Sequence, residues 1–216
     1  MDIFIKNIKE TLLGLVFPSS QLPESVTEDR IREIKKPLDW HDDNTIVIFD
    51  YGDTLAKKLI WELKYKNNFK AAEVLAKAMR EELIGQMNDW AIFENFQKPI
   101  LLPVPLSKKK LAKRGYNQTE ILVKEILKTD KGENFEAELK VLTKSRETKD
   151  QSSLKSKTER SKNLNGCFKV SSVEKIKGRN LIIVDDVITT GATLNEIKKV
   201  LRKAGAKKIK AVVVAH

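Results

Sequence analysis

Two adjacent carboxylates, Asp185 and Asp186, stand between an apolar run and a cluster of hydroxyls in LIIVDDVITTGAT, residues 181–193. Thr189, Thr190 and Thr193 offer O–H groups, and Gly191 lets the backbone come close to a bound group. A helix starting near Ala192 aims its unpaired N–H groups at the same point, and that combination holds an anion, best a phosphate. Carboxylates repel phosphate, so Asp185 and Asp186 must face sugar hydroxyls or a metal ion carried on the phosphate. A phosphate at one end and a diol or Mg²⁺ at the other describes a phosphorylated ribose. An ordinary acidic turn is the plainer reading, but unpaired buried carboxylates are costly and two in succession need a reason.

Cations that suit further phosphate lie in three other stretches. LKYKNN places Lys64 and Lys66 in a basic turn, readable as a solvated helix end or as a phosphate contact. LSKKKLAKRGYNQTE follows the apolar run Ile100 to Leu102 and carries Lys108, Lys109, Lys110, Lys113 and Arg114. It reads as a basic loop at the carboxyl end of a strand, where ligands of open parallel sheets bind, and so as a place to neutralise pyrophosphate. Residues 144–166 hold almost nothing apolar beyond Leu154 and Leu164, and they carry Arg146, Lys149, Gln151 and Arg160. A stretch that long is either a covering segment or a basic linker. His41 beside Asp42 and Asp43 has no spaced partners and reads as a surface residue rather than a metal ligand.

The elements that position these groups alternate. Apolar runs predict strands at Thr45–Phe49, from Ile100 to the prolines 103 and 105, at Leu139–Thr143, Cys167–Val170, Leu181–Val184 and Lys208–Val214. The Leu181 run is continuously apolar and suits a central parallel strand covered on both faces. Helical spacing predicts helices after an Asp53 cap, from Lys70 to about Ile84, from Thr119 to about Lys128, and from Ala192 to Ala204, the last ended by Gly205. The pattern predicts an α/β, doubly wound, mainly parallel sheet with helices on both faces. An amphipathic helix is predicted over residues 2–17, and residues 1–44 read as a small helical and irregular extension.

Composition bounds the function. At 216 residues the chain holds one domain with a full core and a small appendage. Its +11 charge fits a nucleic-acid surface, polyphosphate substrates or plain lysine enrichment. Aromatic residues make up 6%, and along the sequence they do not interleave with cations as a stacking platform requires. Cys167, the one cysteine, excludes an intramolecular disulfide and a cysteine zinc finger. No run of about eighteen apolar residues predicts a membrane span. The start, MDIFIKNIKETLLGLVF, mixes in acids and argues against a secretory signal, so a cytoplasmic protein is expected.

VDDVITTGAT resembles the phosphoribosyl-pyrophosphate (PRPP) signature of type I phosphoribosyltransferases. The resemblance implies that fold, with Asp185 and Asp186 on the ribose hydroxyls, with Thr189, Thr190, Gly191, Ala192 and Thr193 around the 5′-phosphate, and with Mg²⁺ arriving on the substrate. PVPL…RGYNQ, preceded by DYG…LIWELKYK and followed by Arg146, Lys149, Gln151, Arg160, Asn163 and Phe168, resembles the ComF family, a phosphoribosyltransferase-like group linked to competence and DNA uptake. This similarity spans residues 45–216 and implies a phosphoribosyltransferase-like domain there, with a mobile hood at about 144–166 that closes over PRPP. Lys64, Lys108, Arg114, Arg146, Lys149, Gln151 and Arg160 are then the pyrophosphate and hood residues. The four cysteines of the zinc ribbon found in many members are missing from the first 45 residues. Transfer of phosphoribosyl to or from a base or amine is one implied function. A non-catalytic PRPP- or nucleotide-binding accessory role, touching single-stranded DNA or a competence helicase, is the other, and an oligomer fits either.

Overall fold

The buried apolar run Leu181–Val184 lies in the middle strand of the sheet. In the computed structural model, which describes residues 28–37, 40, 42–148 and 163–216, strands β1 (Thr45–Phe49), β2 (Ile100–Pro103), β3 (Glu136–Ala137), β6 (Asn180–Val187) and β7 (Lys208–Ala215) form one five-stranded sheet. Its order is β1-β7-β6-β2-β3, and every neighbouring pair is parallel. β4 (Leu142–Lys144) and β5 (Phe168–Val170) pair antiparallel in a separate hairpin. The described helices are α1 (Glu28–Arg32), α2 (Thr54–Tyr65), α3 (Phe69–Glu94), α4 (Lys108–Arg114), α5 (Gln118–Asp130) and α6 (Ala192–Lys203).

Alternate residues of each central strand serve opposite layers, because successive side chains on a strand point to opposite faces. Leu101, Ile182, Val184, Val212 and Val214 join α2, α3 and α5 in one core. Leu102, Leu181, Ile183 and Val213 join α6 and the β4–β5 hairpin in the other. The doubly wound parallel sheet expected from the sequence is therefore the architecture. The chain ahead of β1 also packs on it: Ile34 is buried in the first core, and Trp40 lies against the second.

Helix starts follow their side-chain chemistry. Asp53 accepts from the N–H groups of Leu55 and Ala56, and Asn68 accepts from those of Lys70 and Ala71. α3 runs on past the expected end at Ile84 to Glu94, where Asn95 turns left-handed at φ 48. Trp90 returns to the buried face there, edge-on to Phe96 at 5.5 Å, with Lys210 Nζ 4.4 Å above its ring and 2.8 Å from Glu94 Oε1. Gly205, at φ 85, follows α6 as expected.

Two expectations need correction. The basic stretch after β2 is helical: Ser107 Oγ accepts from Lys110 N, Lys108–Arg114 form α4, and Gly115 ends it at φ 83. The strand expected at Leu139–Thr143 is two short pieces, β3 ahead of it on the main sheet and β4 in the hairpin. The helix predicted over residues 2–17 and the residues His41, Lys149, Gln151 and Arg160 lie outside the described residues.

Met79 is fully buried between α3 and the sheet, whereas Ile92 on the same helix is 75% exposed. Met79→Ala is expected to cost about 2–5 kcal/mol in urea unfolding and Ile92→Ala less than about 0.5 kcal/mol. Equal midpoints for the two variants would mean that α3 is not seated as described.

Candidate functional site

β2 and β6 end side by side, and their carboxyl ends open into a cavity of about 290 Å³. Asp185 and Asp186 close its floor, both in the last turns of β6 and both buried. Around them stand Lys64 from α2, Lys110 and Arg114 from α4, Lys144 from β4, and Thr189, Gly191, Ala192 and Thr193 from the loop into α6. Four cations thus surround two carboxylates, in a crevice that faces the N-terminus of a twelve-residue helix.

The acidic pair is held by a specific network. Lys64 Nζ lies 3.0 Å from Asp186 Oδ1, and Gln118 Nε2 donates to Asp186 Oδ2 at 2.6 Å. Arg114 Nη1 donates to the Oε1 of the same Gln118, which fixes the orientation of its amide. The Asp186 N–H donates to Asp185 Oδ1 at 2.9 Å. Burial and the neighbouring charge of Asp186 push the Asp185 carboxyl up to about 8, against the opposing pull of that N–H, Lys64 and Lys144. Burial acts to lower the pKa of Lys64, but the charge and hydrogen bond of Asp186, with Asp185 behind it, hold it above its ordinary value. Asp186 is thus paired with Lys64 while Asp185 holds its proton, and a cation that displaces that proton would face both carboxyl groups.

The loop that follows is built for an anion. Gly191 takes φ 72 and ψ 0 at the head of α6, a conformation cheap only for glycine, and it brings no side-chain cap to the helix. The first N–H groups of α6 are thereby left for a ligand. Asn117 and Thr119 brace the opposite wall: Asn117 Nδ2 and Thr119 Oγ1 both donate to the Val104 carbonyl, at 3.1 and 2.7 Å.

The remaining residues expected at the site divide. Lys64 reaches the crevice, but its partner is Asp186, while Lys66 lies 5.3 Å over the Trp61 ring. Lys108 is exposed and does not line the cavity; Lys110, two residues along α4 and on another face, does. Arg146 Nη2 donates to the carbonyls of Asn163 and Asn165, joining the described residues on either side of 149–162 rather than lining the cavity. Glu147, next in the chain, accepts from Lys109 N at 2.9 Å and so ties the segment after β4 to α4. The Ser107 hydroxyl and that N–H hold the Glu147 carboxyl below its usual range. Gln118 and Lys144 were not singled out from the sequence. Gln118 lies within RGYNQ, and only the proximity of α5 to β6 gives it a role.

The phosphoribosyl transferase domain model matches residues 111–216. Competence protein F of Haemophilus influenzae is 32% identical over 178 residues, 82% of this chain and 73% of that protein. Competence protein ComFC of Streptococcus pneumoniae is 32% identical over 76% of this chain and 64% of its own length. DNA utilization protein YhgH of Escherichia coli K12 is 28% identical over 81% of this chain and 72% of its own. Among solved structures, an allosteric regulatory enzyme of purine biosynthesis overlaps 71% of this chain and 30% of its own, at 20% identity and TM-score 0.41. Hypoxanthine-guanine phosphoribosyl transferase of L. donovani overlaps 67% and 71%, at 15% identity and TM-score 0.39.

The raised Asp185 carboxyl has a consequence for stability. Folded Asp185 keeps its proton up to about pH 8, whereas the unfolded chain releases it near the ordinary 3.8. Native stability from this group is full below that lower value and is lost as pH rises through the upper one. Asp185→Asn keeps an acceptor for the Asp186 N–H and removes the titration. In metal-free protein the variant is expected to melt higher than wild type, by a margin that widens from about pH 5 to about pH 8.5. Thermal melts at the two pH values check this, and a margin that narrows with pH would contradict it.

Proposed function

Because the chain belongs to the competence protein F family, we propose that its crevice binds PRPP with Mg²⁺ and passes the phosphoribosyl group between pyrophosphate and a base or amine. The observation that carries the proposal is the meeting, in one crevice, of a buried carboxylate pair, an uncapped helix N-terminus behind a left-handed glycine, and four cations. In this reading Asp185 and Asp186 bind the ribose hydroxyls, and Thr189, Gly191, Ala192 and Thr193 hold the 5′-phosphate; Thr190, also expected there from the sequence, borders the other side of the loop. Lys110, Arg114 and Lys144 face the pyrophosphate. Arg146, with its guanidinium on two carbonyls, holds the base of the hood.

The donor set fits Mg²⁺ in a particular way. Carboxylate oxygens are the hard ligands this ion takes, yet no group of three or more His, Cys, Asp or Glu among the described residues would cage it. Asp185 and Asp186 would therefore share it with the phosphate oxygens of the substrate. When bound, the ion supplies charge neutralisation at the pyrophosphate. The residues of the chain do the rest. As the C1–O bond breaks, the electron pair leaves with pyrophosphate, and positive charge on the ribose ring develops beside the two carboxylates. The acceptor nitrogen closes the C1–N bond and gives up its proton.

The test is calorimetric titration of PRPP with Mg²⁺ into wild type and Asp186→Asn, followed by pyrophosphate release with a panel of bases and amines. Loss of a charge-assisted contact is expected to weaken binding by about tenfold or more in the variant. A wild type that does not bind PRPP would sink the proposal.

A second reading, contact with single-stranded DNA, is favoured by the surface of α2. Contrary to the sequence expectation, folding interleaves cations with aromatic rings: Lys57 lies 5.7 Å from the Tyr51 ring, Lys66 5.3 Å from Trp61 and Arg114 5.5 Å from Tyr65. Trp61 and Tyr65 are 6.1 Å apart, and Tyr65 and Phe69 are each 62% exposed. Such rings and cations would serve as a sequence-tolerant surface for stacked bases. Tyr65→Ala is expected to weaken binding of an oligothymidine strand by about 1–3 kcal/mol. Fluorescence anisotropy at low and moderate salt measures it. Affinity that is indifferent both to the substitution and to salt would remove this reading.

A further inference from the structure

The loop into α6 has a second face. Behind it lies another cavity of about 550 Å³, in the size range of small-molecule sites. Ile188, Thr189, Gly191 and Leu194 border both cavities, so these residues form the wall between them, while Thr190 borders the second alone. The remaining lining comes from Trp40 ahead of β1, Asn195 and Lys198 on α6, and His216 just past β7.

Three features of this cavity point to one class of ligand. Trp40 and His216 make an aromatic wall, with ring centroids 4.9 Å apart and planes tilted at 52°. Among the described residues, Trp40 Nε1 and Thr190 Oγ1 are buried without a hydrogen-bond partner. An indole N–H is a donor only, and a buried donor left unpaired is costly, so a ligand acceptor is the natural complement. The lysine of this cavity already has its partners. Lys198 is buried with its Nζ 3.2 Å from Asp42 Oδ2 and 3.2 Å from Thr45 Oγ1. Asp42 gives the cavity a carboxylate and Asn195 an amide, both able to accept from a ring N–H.

An aromatic wall, an orphan donor, nearby acceptors and a lysine already held by Asp42 and Thr45 suit a planar ring better than a phosphate. We propose that this cavity binds a neutral planar heteroaromatic ring carrying both an acceptor and an N–H donor, the chemistry of a nucleobase. Its residues do not include the carboxylate pair, so the site stands or falls separately from PRPP binding. Because the ring lies against the wall that forms the phosphate loop, its occupancy biases the geometry of Thr189 and Gly191.

Adenine, hypoxanthine, cytosine and uracil are the probes, each titrated calorimetrically into the full chain. At least one is expected to bind wild type and to weaken about tenfold or more in Trp40→Leu, which removes the stacking surface. Asn195→Phe, on the exposed surface of α6, fills the mouth without touching the core and is expected to abolish binding. Asp186→Asn is expected to leave ring binding intact, whatever becomes of PRPP. With PRPP and Mg²⁺ present, a shift in PRPP affinity without pyrophosphate release supports the site, whereas release that survives in Trp40→Leu and Asn195→Phe puts the ring in the crevice and overturns it. No binding of any of the four bases, or binding unchanged in both Trp40→Leu and Asn195→Phe, overturns it.

Discussion

Asp185 and Asp186 meet at the end of β6 as adjacent carboxyl groups out of water, where the two cannot both ionise cheaply, and much of the surrounding structure holds them there. Lys64 comes from α2, Gln118 from α5 and the backbone N–H from the pair itself. Each contact requires an element of the first layer to end at the same height as β6. α2 must stop near Tyr65 for Lys64 to reach over the sheet edge, and α5 must start at Gln118 for its first side chain to point at Asp186. Asn117 and Thr119 secure that start by anchoring to the Val104 carbonyl at the end of β2. The strain of the carboxylate pair is thus distributed over the ends of four elements. A fold optimised for stability alone would place one neutral group there.

The central strand and the loop after it were legible in the sequence because their signals are local. A continuously apolar run has few alternatives to a buried parallel strand, and a hydroxyl-rich turn with glycine has few alternatives to a helix head. Where the reading failed, the deciding interaction was distant. α3 continues past Ile84 because Trp90 finds Phe96 and Lys210, neither of which its own periodicity shows. α4 hides behind its cations: with Leu111 its only large apolar residue, it has no amphipathic stripe, and its helicity rests on Ser107 at one end and Gly115 at the other. The roles of Gln118 and Lys144 arise only when α5 and the β4–β5 hairpin are brought to β6. The aromatic and cationic residues of α2 become interleaved because helical spacing sets Trp61 against Tyr65 and because Arg114 arrives from another helix.

Gly191 shows how one backbone conformation serves two environments. A Cβ there would meet nothing closer than Asn195 Nδ2 at 3.7 Å, with Trp40 at 3.8 Å and Ile188 at 3.9 Å, so crowding is not what excludes a larger residue. The left-handed φ of 72° is. It turns the chain sharply enough that the helix N-terminus faces the cationic crevice, while Thr190, one residue earlier, borders the second cavity behind. A side chain at this position would favour an ordinary φ and rotate the N–H groups out of the crevice. The same rotation would carry the Thr190 hydroxyl away from Trp40. The two cavities differ in composition, one lined by four cations and the carboxylate pair and the other by the Lys198–Asp42 pair and two aromatic rings, yet the loop that Gly191 turns borders both. Coupling between their occupants therefore needs no relay through the core, because the wall that separates them is the element each would hold in place.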